Sequence, residues 1–148
     1  MTDKVGIKGT ARAILTHGDG RVEVIEEHNM IMNAGFDLLI SSLINSAGRP
    51  NPLSYVAIGS GTTATAATQT ALADEKYRTQ GTWDWTPGSK TFTISASWAQ
   101  GAVLGTITEG AVFNASTGGT MFDRIVFSTP FTGSSDIQYT QQFEFEVA

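Results

Sequence analysis

The sequence contains no cysteine, which excludes disulfides and thiol chemistry and leaves the redox compartment open. Charge is scarce. Asp, Glu, Lys and Arg make up 16% of the 148 residues, against roughly 25% in an ordinary soluble domain, and Thr, Ser, Ala and Gly take their place. Few ionic groups then need desolvating when such a surface is buried against a partner. The nine basic residues are scattered except for Lys4, Lys8 and Arg12, and the net charge is −5. Without a basic stripe there is little phosphate neutralisation to gain, so direct nucleic-acid binding is not expected. No apolar run approaches the ~20 residues of a membrane helix. The opening MTDKVGIKGT lacks the apolar segment of a signal peptide, so neither membrane insertion nor that export route is expected.

What is present is short apolar periodicity. One stretch has the period of a helix: Phe36, Leu39, Ile40, Leu43 and Ile44 recur at i, i+3, i+4, i+7 and i+8. It predicts a helix over about residues 34–46, with Asn33 as N-cap and Gly48 and Pro50 as the stop, laid over an open face or end of a β structure. The rest alternates with period two. Ile7, Ala11, Ala13 and Leu15 share one parity, and residues 21–28 follow across His17-Gly18-Asp19-Gly20, where Asp-Gly suits a tight turn requiring positive φ. Residues 1–10 read either as an N-terminal arm or as the start of that first strand, with 11–148 as a single β-rich domain.

Further along, LSYVAI (53–58) is a short buried strand, and Gly59-Ser60-Gly61 and TTATAATQTA (62–71) form a long loop, with Thr70 opening a brief turn toward Leu72 and Glu75. Residues 76–98 read as a second hairpin about Pro87-Gly88. Strands are expected at 106–114 and 120–128, then a loop with Pro130 and Gly133. Alternation is clearest in the closing strand, where Ile137, Tyr139, Gln141, Phe143, Phe145 and Val147 occupy one side. Some eight short strands punctuated by turns predict a mainly β domain, a β-sandwich or partly open barrel with one α-helix.

Chemistry-bearing groups are sparse. Gly59-Ser60-Gly61 follows a strand, but no Gly-Lys-Ser/Thr completes a phosphate loop, and it reads as a flexible turn that lets the chain reverse. His17 and His28 fall at opposite ends of the first hairpin, too far apart to share a metal. Glu109 and Arg124 interrupt apolar strands and read as a structural pair or subunit-facing charges; Asp84 and Asp123 offer Glu109 no defined catalytic partner. Trp83, Trp85 and Trp98 read as core or oligomer-interface aromatics, with a sugar-stacking platform as the other reading. No catalytic residue, metal, cofactor or small-molecule substrate is expected.

Taken together, Asn33-Ala34-Gly35, YVAIGSGT (55–62), TALADEKYR (70–78), TITEGAVFN (106–114), GGTMFDRIVFS (118–128) and YTQQFEFEV (139–147) resemble a family of small tailed-bacteriophage virion proteins, over roughly residues 29–147. The resemblance implies a non-enzymatic head decoration (cement) protein, a homotrimer in the virion that binds the major capsid protein and reinforces the shell. Lys4, Val5, Ile7, Lys8 and Arg12 are then the expected capsid contacts. Other expectations are a tail, baseplate or fibre component, and a carbohydrate-binding module built on the tryptophans and Glu109.

Overall fold

The structure, a computed structural model, describes residues 6–148. Strands β1 (Ile7–His17), β2 (Val22–His28), β6 (Thr82–Asp84), β7 (Thr91–Trp98) and β10 (Ile137–Val147) form one sheet in the order β2-β1-β10-β7-β6. Strands β3 (Met30–Ile31), β4 (Tyr55–Gly59), β5 (Glu75–Gln80), β8 (Gly105–Phe113) and β9 (Asp123–Gly133) form a second, in the order β3-β9-β8-β4-β5. Every pairing is antiparallel. The only helix among the described residues is α1 (Asn33–Ile44). The chain is mainly β, two five-stranded sheets and one helix, consistent with a β-sandwich.

Alternation explains the core. Ala11, Ala13 and Leu15 of β1 and Tyr139, Phe143 and Phe145 of β10 point inward and meet Ile58, Ile107, Val112, Ile125 and Phe127 of the other sheet. Phe131 stacks on Tyr139 at 5.1 Å between ring centres, and Phe122 meets Phe145 edge-on at 5.3 Å. A second apolar layer of Met32, Ala57, Leu72, Ala111, Phe113 and Met121 lies on the back of the second sheet. Residues 60–74 cross this back face without regular structure, and they position the candidate site.

Several expectations change. Of the two readings of the first residues, Ile7 to Thr10 lie in strand, in register from Ile7 opposite Val147 onward; Lys4 and Val5 fall outside the described residues. The β1–β2 turn does place Gly20 at φ +90°. Residues 76–98 are not one hairpin, because β5 pairs with β4 in the second sheet while β6 pairs with β7 in the first. The chain changes sheets at Gly81, whose N–H donates to Ser54 O at 2.8 Å; a Cβ there would lie 2.6 Å from Ile94 Cγ1. The brief turn expected after Thr70 is a pair of bends at 71 and 73–74, and Glu75 already belongs to β5. Strand β9 starts at Asp123 rather than 120 and runs on through Pro130. A register break opposite Ile107 to Glu109 leaves Pro130 exposed in a bulge, where its missing N–H is tolerated.

Helix α1 departs most. Its N-cap is Met32, with no side-chain cap, and Asn33 is the first helical residue, its N–H donating to Ala67 O at 2.8 Å. Gly35 alone of the helix is buried, since a Cβ would stand 2.3 Å from Phe122 O, so the first turn seats directly on the sheet. The predicted apolar face does not cover the β structure. Phe36, Ile40, Leu43 and Ile44 are 38%, 52%, 73% and 74% exposed, and only Leu39 of that set is half-buried.

Candidate functional site

On the back of the second sheet, a register shift at Glu109 turns its side chain away from the core toward residues 60–74. Its carboxylate accepts five hydrogen bonds: Oε1 from Ala73 N and from Arg124 Nε and Nη2 (2.9, 3.1 and 2.9 Å), Oε2 from Gly61 N and Asp74 N (both 2.7 Å). Arg124 Nη1 donates onward to Thr63 O (2.8 Å) and Gln69 Oε1 (3.0 Å). Both side chains are sealed from solvent, at 0% and 1% exposure. A buried charge is tolerable when it is paired and its remaining hydrogen-bonding positions are filled, and here backbone amides at both ends of the 60–74 segment fill them.

The glycines at 59 and 61 are part of this. A Cβ on Gly61 would stand 2.4 Å from Glu109 Oε2, and one on Gly59 2.2 Å from Asp74 O. Neither has positive φ, so they permit close approach to the carboxylate and its loop rather than a flexible chain reversal. Chemically, the Glu109–Arg124 unit fastens a strap, with every polar atom of the carboxylate occupied from within the chain.

Asp123, one residue before Arg124, faces the opposite side of the sheet. Its Oδ1 accepts from Val112 N at 2.8 Å and its Oδ2 from Asn29 Nδ2. Burial lifts its carboxyl to about 7, against the pull of those hydrogen bonds. Asn29 Oδ1 beside it is buried without a partner. Glu109 and Asp123 therefore lie on opposite faces of one sheet and do not flank a common cleft.

The tryptophans separate. Trp83 is half-buried, with ring centres 5.6 Å from Phe92 and 6.2 Å from Phe145, and its Nε1 donates to Leu53 O. Trp85 is exposed, its Nε1 donating to Ser89 O at 3.0 Å, and with Trp83 and Phe92 it lines a shallow apolar depression. Trp98 packs on Tyr139 at 5.6 Å, four residues along β7 from the Ile94 that pairs with Trp83, or about 13 Å at the rise of a strand. The depression belongs to the first sheet, and Glu109 to the second.

Strand β1 disperses the other expected contacts. Ile7 turns inward and packs against the core, so the apolar contact expected of it with a shell is spent inside the molecule. Lys8 faces outward and is exposed. Arg12 Nε is 2.6 Å from Glu26 Oε2, with Glu144 at 3.5 Å, and these carboxylates hold its guanidinium more firmly protonated than usual. His17 Nε2 lies 3.1 Å from Glu23 at the hairpin turn, and His28 pairs with Thr10 at the far end. Among the described residues no group of three or more His, Asp or Glu could hold a metal ion, and no helix is long and apolar enough to cross a membrane.

The feature the sequence hid is the outward apolar face of α1. Its signal, the five-residue stripe, was legible; which way it faced depends on Gly35 meeting Phe122, a long-range contact that no local pattern encodes. No protein family, curated protein or solved structure matches this chain.

Proposed function

We propose that this chain is a non-enzymatic structural subunit, a phage head decoration protein that binds the outer capsid surface as an oligomer and stabilises the shell. The observation that carries the reading is the free apolar face of α1: it matches in scale the largest apolar patch of a typical monomer, and such patches often serve contacts with other macromolecules. Two others support it. The buried ion pair Glu109 and Arg124 is committed to holding residues 60–74. The outer face of the first sheet is rich in Thr, Ser and Gln, among them Thr140, Gln142, Ser95 and Ser97, a surface with a low desolvation cost against a partner.

In this reading Lys8 and Arg12 face the major capsid protein from β1, and many modest contacts repeated by symmetry supply the avidity. Co-sedimentation of the purified chain with undecorated heads, followed by particle imaging, tests it. The expected result is saturable density over the head and a higher temperature of head disruption. Density confined to tails, or no binding, overturns it. The exposed Trp85 beside Trp83 and Phe92 favours one other reading, glycan binding, for which a glycan panel must shift tryptophan fluorescence.

A further inference from the structure

We infer that α1 is a self-association element: two copies of this chain pair through their α1 helices, antiparallel, about a two-fold axis near Ile40. This deepens the contact role proposed above by naming one partner, a second copy, and the surface it uses.

Stability gives the first argument. A helix of twelve residues is marginal in water without tertiary packing. The chain seats the first turn through Met32 and Gly35 and half-buries Leu38, Leu39, Ser41 and Ser42 behind it, whereas Leu43 and Ile44 in the last turn are 73% and 74% exposed. The outward side of the helix, Phe36, Ile40, Leu43 and Ile44, has no packing from within the described residues, and a partner that covers it would add the packing the last turn lacks.

Charge and shape identify the occupant. Phe36, Ile40, Leu43 and Ile44 span about 100° of the helix circumference. They expose on the order of 400 Å² of apolar surface, at the scale of the largest patch on a typical monomer. That falls short of the roughly 800 Å² per partner of a standard interface, so the patch is the apolar centre of a contact rimmed by the exposed residues 45–49. Asp37 is the sole charged residue in α1, so a chain with net charge −5 meets itself here with little repulsion. Antiparallel pairing sets Phe36 of one copy against Leu43 and Ile44 of the other.

Pairing in this sense also matches the ends. Arg49 Nε donates to Asn45 O at 2.9 Å, which holds its guanidinium at the helix C-terminus, on the side of the N-terminal half of the other copy, where Asp37 stands in the second turn. A parallel arrangement would instead gather the Asp37 residues at one end.

Sedimentation equilibrium on the full chain tests the pairing. The expected mass at high concentration is about twice the 15.7 kDa of one chain, and Leu43→Asp with Ile44→Asp should weaken association at least 100-fold while the near-ultraviolet spectrum is unchanged. Because the chain has no cysteine, single substitutions report geometry cleanly. With a short bismaleimide, Ile40→Cys should cross-link to itself rapidly, and Leu43→Cys and the distant Thr86→Cys slowly. These cysteine variants keep the test alive should the double aspartate fail to fold. A monomer at all concentrations, a mass of three chains, an unaffected double variant, or equal cross-linking at 40 and 43 each overturns the proposal. The mass of the free chain decides the pairing and particle binding decides the capsid role, so a failure of one is distinguishable from a failure of the other.

Discussion

Arg124 Nη2 stands 2.9 Å from Glu109 Oε1 with neither side chain reaching solvent, and the remaining positions on the carboxylate are filled by the amides of Gly61, Ala73 and Asp74. The pair is therefore a fastening for residues 60–74. Glu109→Gln keeps the shape but leaves the Arg124 charge unpaired, and should cost about 3–5 kcal/mol of stability in urea unfolding. Amides 61, 73 and 74 should lose protection from hydrogen exchange before the rest of the sheet. Unchanged protection would show that the strap is held some other way.

Asp123 gives a pH dependence with a definite sign. Its carboxyl is lifted to about 7 in the fold, above its unfolded value near 3.8, so between these pH values the folded chain holds a proton the unfolded chain has lost. The contribution is fully present below about pH 3.8, declines as pH rises, and is gone above about 7. Asp123→Asn should flatten this slope and raise stability at pH 8 by about 1–3 kcal/mol, because no charge is then buried. Thermal melts of both proteins from pH 4 to 8 decide it.

Gly35→Ala sets two effects against each other. Alanine favours a helix interior by about 1 kcal/mol over glycine. The added methyl would fall 2.3 Å from Phe122 O, a backbone atom that cannot swing aside. The clash should win, with a net loss of about 1–3 kcal/mol and faster exchange of the α1 amides. A stabilised variant would mean that the first turn is not seated on the sheet.

Trp83 and Trp85, two residues apart, should behave differently. Trp83→Ala removes an indole packed on Phe92 and Phe145 and should cost about 2–3 kcal/mol, somewhat less than a fully buried aromatic. Trp85→Ala should change stability by no more than about 0.5 kcal/mol. Equal losses in chemical denaturation would place Trp85 in the core.

The strands were legible where burial alternates along one continuous segment, as in β1, β7 and β10, since period two reports directly on a half-buried sheet. Pattern failed where the cause was not local. Nothing near Gly81 announces that the chain leaves one sheet for the other; the glycine fits because Ile94 comes close. Pro130 reads as a strand end, yet a bulge across from Glu109 absorbs it. Glu109 was conspicuous among apolar neighbours, but three of its donors are backbone amides, which any residue type supplies. For α1, periodicity established that one side was apolar and was silent on what lay against it.

The pairing of β1 with β10 bears on how the chain reaches this state. Ile7 sits opposite Val147, so the first strand has only the short β2 beside it until the last has been made. At about 5–20 residues per second, translation leaves that hairpin waiting on the order of ten seconds with Ala11, Ala13 and Leu15 bare. Misassembly in the cell should accordingly begin there, and holding chaperones should bind the nascent hairpin in preference to later segments.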